Sequence, residues 1–270
     1  NISTSFNQKC PLCRKEVSMS NKNKKLIRFI RVYSTFSINN SVAEVLLHAC
    51  IRKNNTKCLK FILNNLDNEF LKMDIDSCYN GVTPLILCSK LNRVLFTRLL
   101  INKSASILVK DTQERTPLSY ACENGDFYTV ELILASSKNS VSLVLDKDIV
   151  GLDSMIYSII GGNVNIFDLL YSIVPQFNEK STYKFEPITY AITYNRYEMF
   201  LRLFSLKMGD LKILDIEGNN LLHYTTMYNN ILAFKYIYEN KRDLVLEKNI
   251  AGETPLHIAT KNNCFSIIKY

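Results

Sequence analysis

Apolar residues fall into two alternating kinds of cluster along this 270-residue chain. The first is a short phrase, Thr83-Pro84-Leu85, Thr116-Pro117-Leu118 and Thr254-Pro255-Leu256. Looser copies are Val45-Leu46-Leu47, Asp153-Ser154-Met155, Glu186-Pro187-Ile188 and Asn220-Leu221-Leu222. The second is a bulkier stretch after each phrase, such as Phe61-Ile62-Leu63, Leu99-Leu100-Ile101, Leu132-Ile133-Leu134, Leu169-Leu170, Leu203-Phe204 and Tyr236-Ile237. The proline-equivalent positions are 46, 84, 117, 154, 187, 221 and 255, so the steps run from 33 to 38 residues. Self-similarity at that period predicts a row of stacked helix pairs, each burying its apolar face on its neighbours.

Polar and turn residues recur in the same phase. Six before the proline position stand Asp111, Asp148, Asp215 and Asn249, and three before it Gly81, Gly151, Gly218 and Gly252. Eight after it stand Asn54, Asn92, Gly125, Gly162, Asn195, Asn229 and Asn263. Proline in the first helical turn sets φ and leaves no N–H unpaired, and the threonine before it can cap the helix. Gly or Asn two turns later can take the left-handed conformation that ends the helix. Asp and Gly shape the projecting turn between units. Small residues four before each stop, Cys50, Cys88, Ala121, Ser158, Ala191, Thr225 and Ala259, allow neighbouring first helices to approach closely.

This phrase, period and turn chemistry resemble the ankyrin repeat family over about residues 41–270. The resemblance implies an all-α solenoid of antiparallel helix pairs with short projecting turns, about seven repeats, the last truncated within its second helix. The residues 1–40 form a separate leader. In the fifth repeat Lys184 replaces the turn glycine, so that turn is expected to be distorted. The three histidines, His48, His223 and His257, share one slot, and the resemblance implies that each tethers adjacent loops. None is left for a Ser/His or Cys/His dyad.

Charge changes the picture only locally. The net charge of +8 arises almost wholly from residues 1–40, with eight basic side chains and Glu16 as the one acid; the remainder holds 25 basic and 24 acidic residues. A nucleic-acid-binding body is therefore not indicated. Residues 22–33 form a basic, partly amphipathic segment, read either as a helix shielding the first repeat or as a localisation signal. No run of about 20 apolar residues is long enough to span a bilayer.

Eight irregularly spaced cysteines do not look like a disulfide framework, which points to a reducing intracellular compartment, cytosol or nucleus. Cys50, Cys58, Cys88 and Cys122 fall on core positions and are expected to be inert. Cys10-Pro11-Leu12-Cys13-Arg14 resembles the last ligand pair of a RING finger, with Phe6 as its preceding bulky residue. Two ordinary leader cysteines are the other reading. A RING finger needs eight cross-braced ligands for two Zn²⁺ ions, so Cys10 and Cys13 alone form no complete metal site, and no other cofactor is expected.

The expected function is a non-catalytic scaffold that binds an unknown partner protein on a concave face of first helices and turns. The two residues before each helix stop and the turn tips are the expected contacts, with Tyr79, Lys90, Arg115, Glu123, Tyr194, Met227 and Tyr228 singled out. Tyrosine suits this role because its ring buries area while its hydroxyl stays polar. The alternative is the substrate-recognition part of a RING-type ubiquitin ligase, which would also engage a ubiquitin-charged E2.

Overall fold

The computed structural model describes residues 42–64, 74–177, 186–208 and 214–270. Seven helix pairs follow one another: Val42–Arg52 with Thr56–Leu63, Pro84–Lys90 with Val94–Ile101, Pro117–Glu123 with Phe127–Ala135, Ser154–Gly161 with Val164–Ile173, Pro187–Thr193 with Tyr197–Ser205, Leu221–Met227 with Ile231–Asn240, and Pro255–Lys261 with Phe265–Lys269. We number these pairs as repeats one to seven. Each first helix packs on the first helices beside it, and second helices line the opposite layer. Among the described residues the β-type pairing is confined to an isolated bridge between Tyr79 and Val82. The architecture is the expected helical solenoid.

Local chemistry accounts for where each first helix begins and ends. Side chains of Thr83, Thr116, Asp153, Asn220 and Thr254 accept hydrogen bonds from backbone amides of the first turn they precede. All seven stop residues, from Asn54 to Asn263, take positive φ. The residue after the stop adds a link that the repeat phrase does not announce. Asn163 Nδ2 donates to the Gly125 carbonyl at 3.1 Å, Arg196 Nε to that of Ile160 at 2.8 Å, and Asn230 Nδ2 to that of Ile192 at 3.1 Å. Each bond ties a second helix's start to the previous repeat's first helix.

In the third turn Glu114 stands at the glycine position and also takes a left-handed conformation, with φ 58°. A side chain there costs about 1–2 kcal/mol, partly offset by the extra unfolded-state freedom of glycine. Glu114→Gly is therefore expected to raise stability by about 0.5–1 kcal/mol, read as a higher urea midpoint.

The core is aliphatic and aromatic, with Phe96, Phe167 and Phe200 among its largest buried side chains. All seven small residues expected to admit close helix approach are buried. The longer step between repeats three and four holds a short helix, Ser140–Val144, capped by Asn139 and burying Leu143 and Val144. What reads as an insertion is thus part of the core. A 3₁₀ turn, Arg242–Val245, likewise buries Leu244. The apolar core divides in two: one cluster spans repeats one and two as far as Ala105, the other runs from Leu118 to Ile267.

Two expectations need correction. Cys50 and Cys58 are joined as a disulfide across the helix pair of repeat one, with Cα atoms 6.0 Å apart, and are not separate thiols. The helix turn brings residues eight apart onto facing positions, which spacing along the chain does not reveal. Cys88 and Cys122 are free and buried, and burial pushes both thiols far above their usual range. The second correction concerns His257. His48 and His223 reach the next turn through Nε2, to the carbonyls of Val82 at 2.8 Å and Glu253 at 3.0 Å. His257 completes its own helix cap with Thr254, as His223 does with Asn220, and among the described residues it makes no tether to an adjacent loop. The leader, with Cys10 and Cys13, and Lys184 in the fifth turn lie outside the described residues.

Candidate protein-interaction surface

Three of the described turns, before repeats three, four and six, are each built around one carboxylate. Asp111 Oδ1 accepts the amides of Gln113 and Arg115, both at 3.0 Å, while Oδ2 accepts the Tyr120 hydroxyl at 2.6 Å and Lys90 Nζ at 3.1 Å. Asp148 repeats the plan with the amides of Val150 and Leu152 and the Tyr157 hydroxyl at 2.5 Å. Asp215 does so with the amides of Glu217 and Asn219 and the Tyr224 hydroxyl at 2.7 Å. Burial alone would raise the Asp111 and Asp215 carboxyls; the donated hydrogen bonds outweigh it and hold both below the usual value. Burial, reinforced by the carboxylate each one faces, pushes Tyr157 and Tyr224 well above the normal phenol range.

This Asp–Tyr pairing was legible, since tyrosine recurs three residues after the proline position at Tyr120, Tyr157, Tyr190 and Tyr224. It was missed because Asp was read as a turn former only.

Around the third and fourth turns the pairing recruits the molecule's own cations. The Arg115 guanidinium lies 3.8 Å from the Tyr120 ring centroid and 3.9 Å from that of Tyr157, and it also pairs with Glu123. Lys90 Nζ sits 4.3 Å from the Tyr120 centroid. Three of the singled-out residues, Lys90, Arg115 and Glu123, therefore come together in one cluster engaged within the fold. Tyr79 is half-buried at the second turn, its ring centroid 5.5 Å from that of His48 and 5.8 Å from the Arg52 guanidinium.

Outward-facing large side chains recur along the array, and the exposed tyrosines among the singled-out residues lie in repeats five and six. Tyr194 and Tyr228 are 47% and 48% exposed at the same register of adjacent repeats. Tyr228 stacks on Tyr224, the rings 6.4 Å apart and tilted by 9°, and Met227 beside it is half-buried. Turn tips carry Ile149, Val150, Ile216 and Ile250, all between 63% and 88% exposed. Backbone bonds from Ile149 to Gln113 and from Ile250 to Glu217 tie consecutive tips together. Large apolar side chains are thus held out on a tied row of turns.

His223 gives this sector a pH response. Its Nε2 lies 3.0 Å from the Glu253 carbonyl, and its Nδ1 lies 3.1 Å from the Asn220 backbone amide and 2.8 Å from the Asn220 side-chain oxygen. Burial lowers its pKa below 6.5, outweighing the pull of Glu253, Asp215 and Glu247. The unfolded chain then takes up the proton first as the pH falls. The contribution is intact above about pH 6.5 and declines below it, by at most about 1.4 kcal/mol per pH unit. Urea midpoints between pH 7.5 and 5.5 should fall more steeply for the parent than for His223→Gln.

Among the described residues, no three or more His, Cys, Asp or Glu side chains are placed to hold a metal, and no helix is long and apolar enough to cross a membrane.

Comparison with known proteins agrees with this geometry. The family model for ankyrin repeats matches in three copies, over residues 17–111, 46–143 and 188–270. The chain is 24% identical over 197 residues to an ankyrin repeat protein, OPG189, of Variola virus; the match covers 70% of this chain and 34% of the relative. The chain thus spans about a third of the length of the curated relatives it matches. Among solved structures, the ankyrin repeat domain of Bcl-3, a member of the IkappaB protein family, superimposes with a TM-score of 0.58 at 18% identity, over 83% of this chain and 98% of that domain. With the family model matched over most of its length, the helix stops in register and the turns in place, this chain belongs to the ankyrin repeat family.

Proposed function

We propose that the array is a non-catalytic scaffold that seats a partner protein on the concave side of repeats five to seven. Ankyrin repeats are general protein-interaction modules, and that coarse role comes with the family. The finer reading rests on one observation. Tyr194 and Tyr228 stand exposed in register, whereas Lys90 is engaged with Asp111, Arg115 with Glu123, and both cations with the buried Tyr120 ring. Exposed aromatic rings on a rigid helix pair are the side chains most suited to anchor a partner.

The test is an affinity capture with the chain as bait, beside its Tyr194→Ser/Tyr228→Ser variant. Both side chains are half in solvent, so the variant should unfold at the same urea concentration. Partners held by the parent should be retained at least about tenfold less by the variant, a loss of about 1.4 kcal/mol. Equal retention by both baits would defeat this reading.

The alternative, substrate selection for a RING-type ubiquitin transferase in an intracellular setting, rests on Cys10-Pro11-Leu12-Cys13-Arg14 alone. Bound zinc and autoubiquitination with a charged E2 in the full-length gene product would support it; a full-length product without zinc would end it.

A further inference from the structure

The turns of repeats three and six carry the same Asp–Tyr pair but differ in what surrounds it. In repeat three, Asp111 binds Lys90, and Arg115 lies over the Tyr120 ring. Lys90 comes from the position two before the stop of the preceding repeat, and Arg115 from the position two before the proline. Around repeat six those positions are Thr193 and Asn219. Neither can supply a cation. Asp215 and Glu217 accordingly make no ion pair among the described residues; Asp215 Oδ2 accepts the Tyr224 hydroxyl and, at 3.0 Å, the Asn219 side-chain amide, which also reaches the Glu217 carboxylate at 3.3 Å, so neutral donors surround both charges. Glu217 is exposed at the turn tip, and Tyr228 extends the ring surface outward by stacking on Tyr224.

From this difference we infer that the repeat-six turn takes an arginine side chain from the partner, seated on Tyr228 with Glu217 and Asp215 as its counter-charges. The inference rests on the reading of this face as the docking surface. It adds the partner's chemistry: a segment bearing an arginine, with apolar side chains beside it to meet Ile216 and Ile250. The template is inside the molecule. Arg115 fills a gap between two ring faces while its charge is met by Glu123, and an aromatic face beside a carboxylate favours a guanidinium over an ammonium, which is more strongly hydrated. The apolar tips, 88% and 80% exposed, exclude water around such a contact.

A random twelve-residue peptide library displayed on phage, selected against the full chain, supplies the probe. Selected peptides are expected to share an arginine next to aliphatic or aromatic residues. Replacing that arginine by citrulline, which keeps the shape and removes the charge, should weaken binding at least tenfold, and Glu217→Gln in the protein should do the same. Neither change should add much to the other, because both remove one contact. Peptides that need Tyr194 and Tyr228 yet bind equally well with citrulline would overturn the arginine assignment and leave the docking face standing. Peptides indifferent to Tyr194, Tyr228 and Glu217 alike, or a selection yielding none, would overturn both.

Discussion

Asp111→Ala is expected to break the single unfolding transition of the array into two. Repeats two and three belong to separate apolar clusters, which share the half-buried Ile101 and Ile107. Buried hydroxyls stand on the elements that meet there, Ser89 and Thr97 on one side, Thr116, Ser119 and Thr129 on the other. Those of Thr97 and Thr129 make no hydrogen bond. Polar bridges also cross the seam between these repeats. Lys90 reaches Asp111 and the Tyr120 ring, and Asn124 Nδ2 donates to the carbonyls of Ser89 and Lys90 at 3.0 and 3.2 Å.

Removing the Asp111 carboxylate leaves a tyrosine hydroxyl, an ammonium and two turn amides without their acceptor. The side chain is almost fully buried, so water replaces it poorly. Leaving such partners unpaired costs about 3 kcal/mol, discounted because Lys90 is partly exposed. Nearest-neighbour coupling holds a repeat array together, and weakening one interface lets the flanking blocks melt apart. Urea unfolding of Asp111→Ala should therefore resolve two steps, and amides of repeats one and two should exchange with solvent at lower free energy than those of repeats three to seven. A single transition displaced by less than about 0.5 kcal/mol would show that the seam does not depend on this carboxylate.

The second large effect is expected at Gly161. A Cβ there would stand 2.4 Å from the Cys122 carbonyl oxygen and 2.7 Å from that of Glu123. Both obstacles are backbone, so no rotamer change relieves the clash, and repeats three and four must separate. Gly161→Ala should cost about 3 kcal/mol, the upper end for inserting one methyl into a packed site. That is a fall of roughly 6–12 °C in Tm for a chain of this size. The adjacent Gly162 provides a contrast: its φ of +79° favours glycine for conformation, and its added Cβ would meet the flexible Arg196 side chain. The two substitutions should destabilise for different reasons, and only Gly161→Ala should widen the spacing between repeats three and four.

These cases separate what period and turn chemistry can say from what they cannot. The sequence reading treated Gly161 as an outward contact beside a helix stop. Its neighbour Ile160 is in fact buried, and Gly161 itself faces the preceding helix. Lys90, Arg115 and Glu123 are expected from the sequence as partner contacts; within the array Lys90 meets Asp111 and the Tyr120 ring, and Arg115 meets Glu123 and the same ring. Asn163, Arg196 and Asn230, just past the stops, drew no attention, yet they stitch neighbouring repeats through backbone carbonyls.

The solenoid, its seven helix stops and its first-helix caps follow from local rules. Each depends on the φ preference or hydrogen-bonding reach of a residue and its near neighbours, and such preferences act whatever the rest of the chain does. Which polar side chains are engaged inside and which remain open is settled by the stacking of neighbouring repeats, as where Lys90 of repeat two meets Asp111 before repeat three. There the outcome depends on the pair brought together, as when Arg115 enters between Tyr120 and Tyr157 while Tyr194 and Tyr228 stay in solvent. Periodicity names the face a residue occupies, and stacking supplies the neighbour it meets.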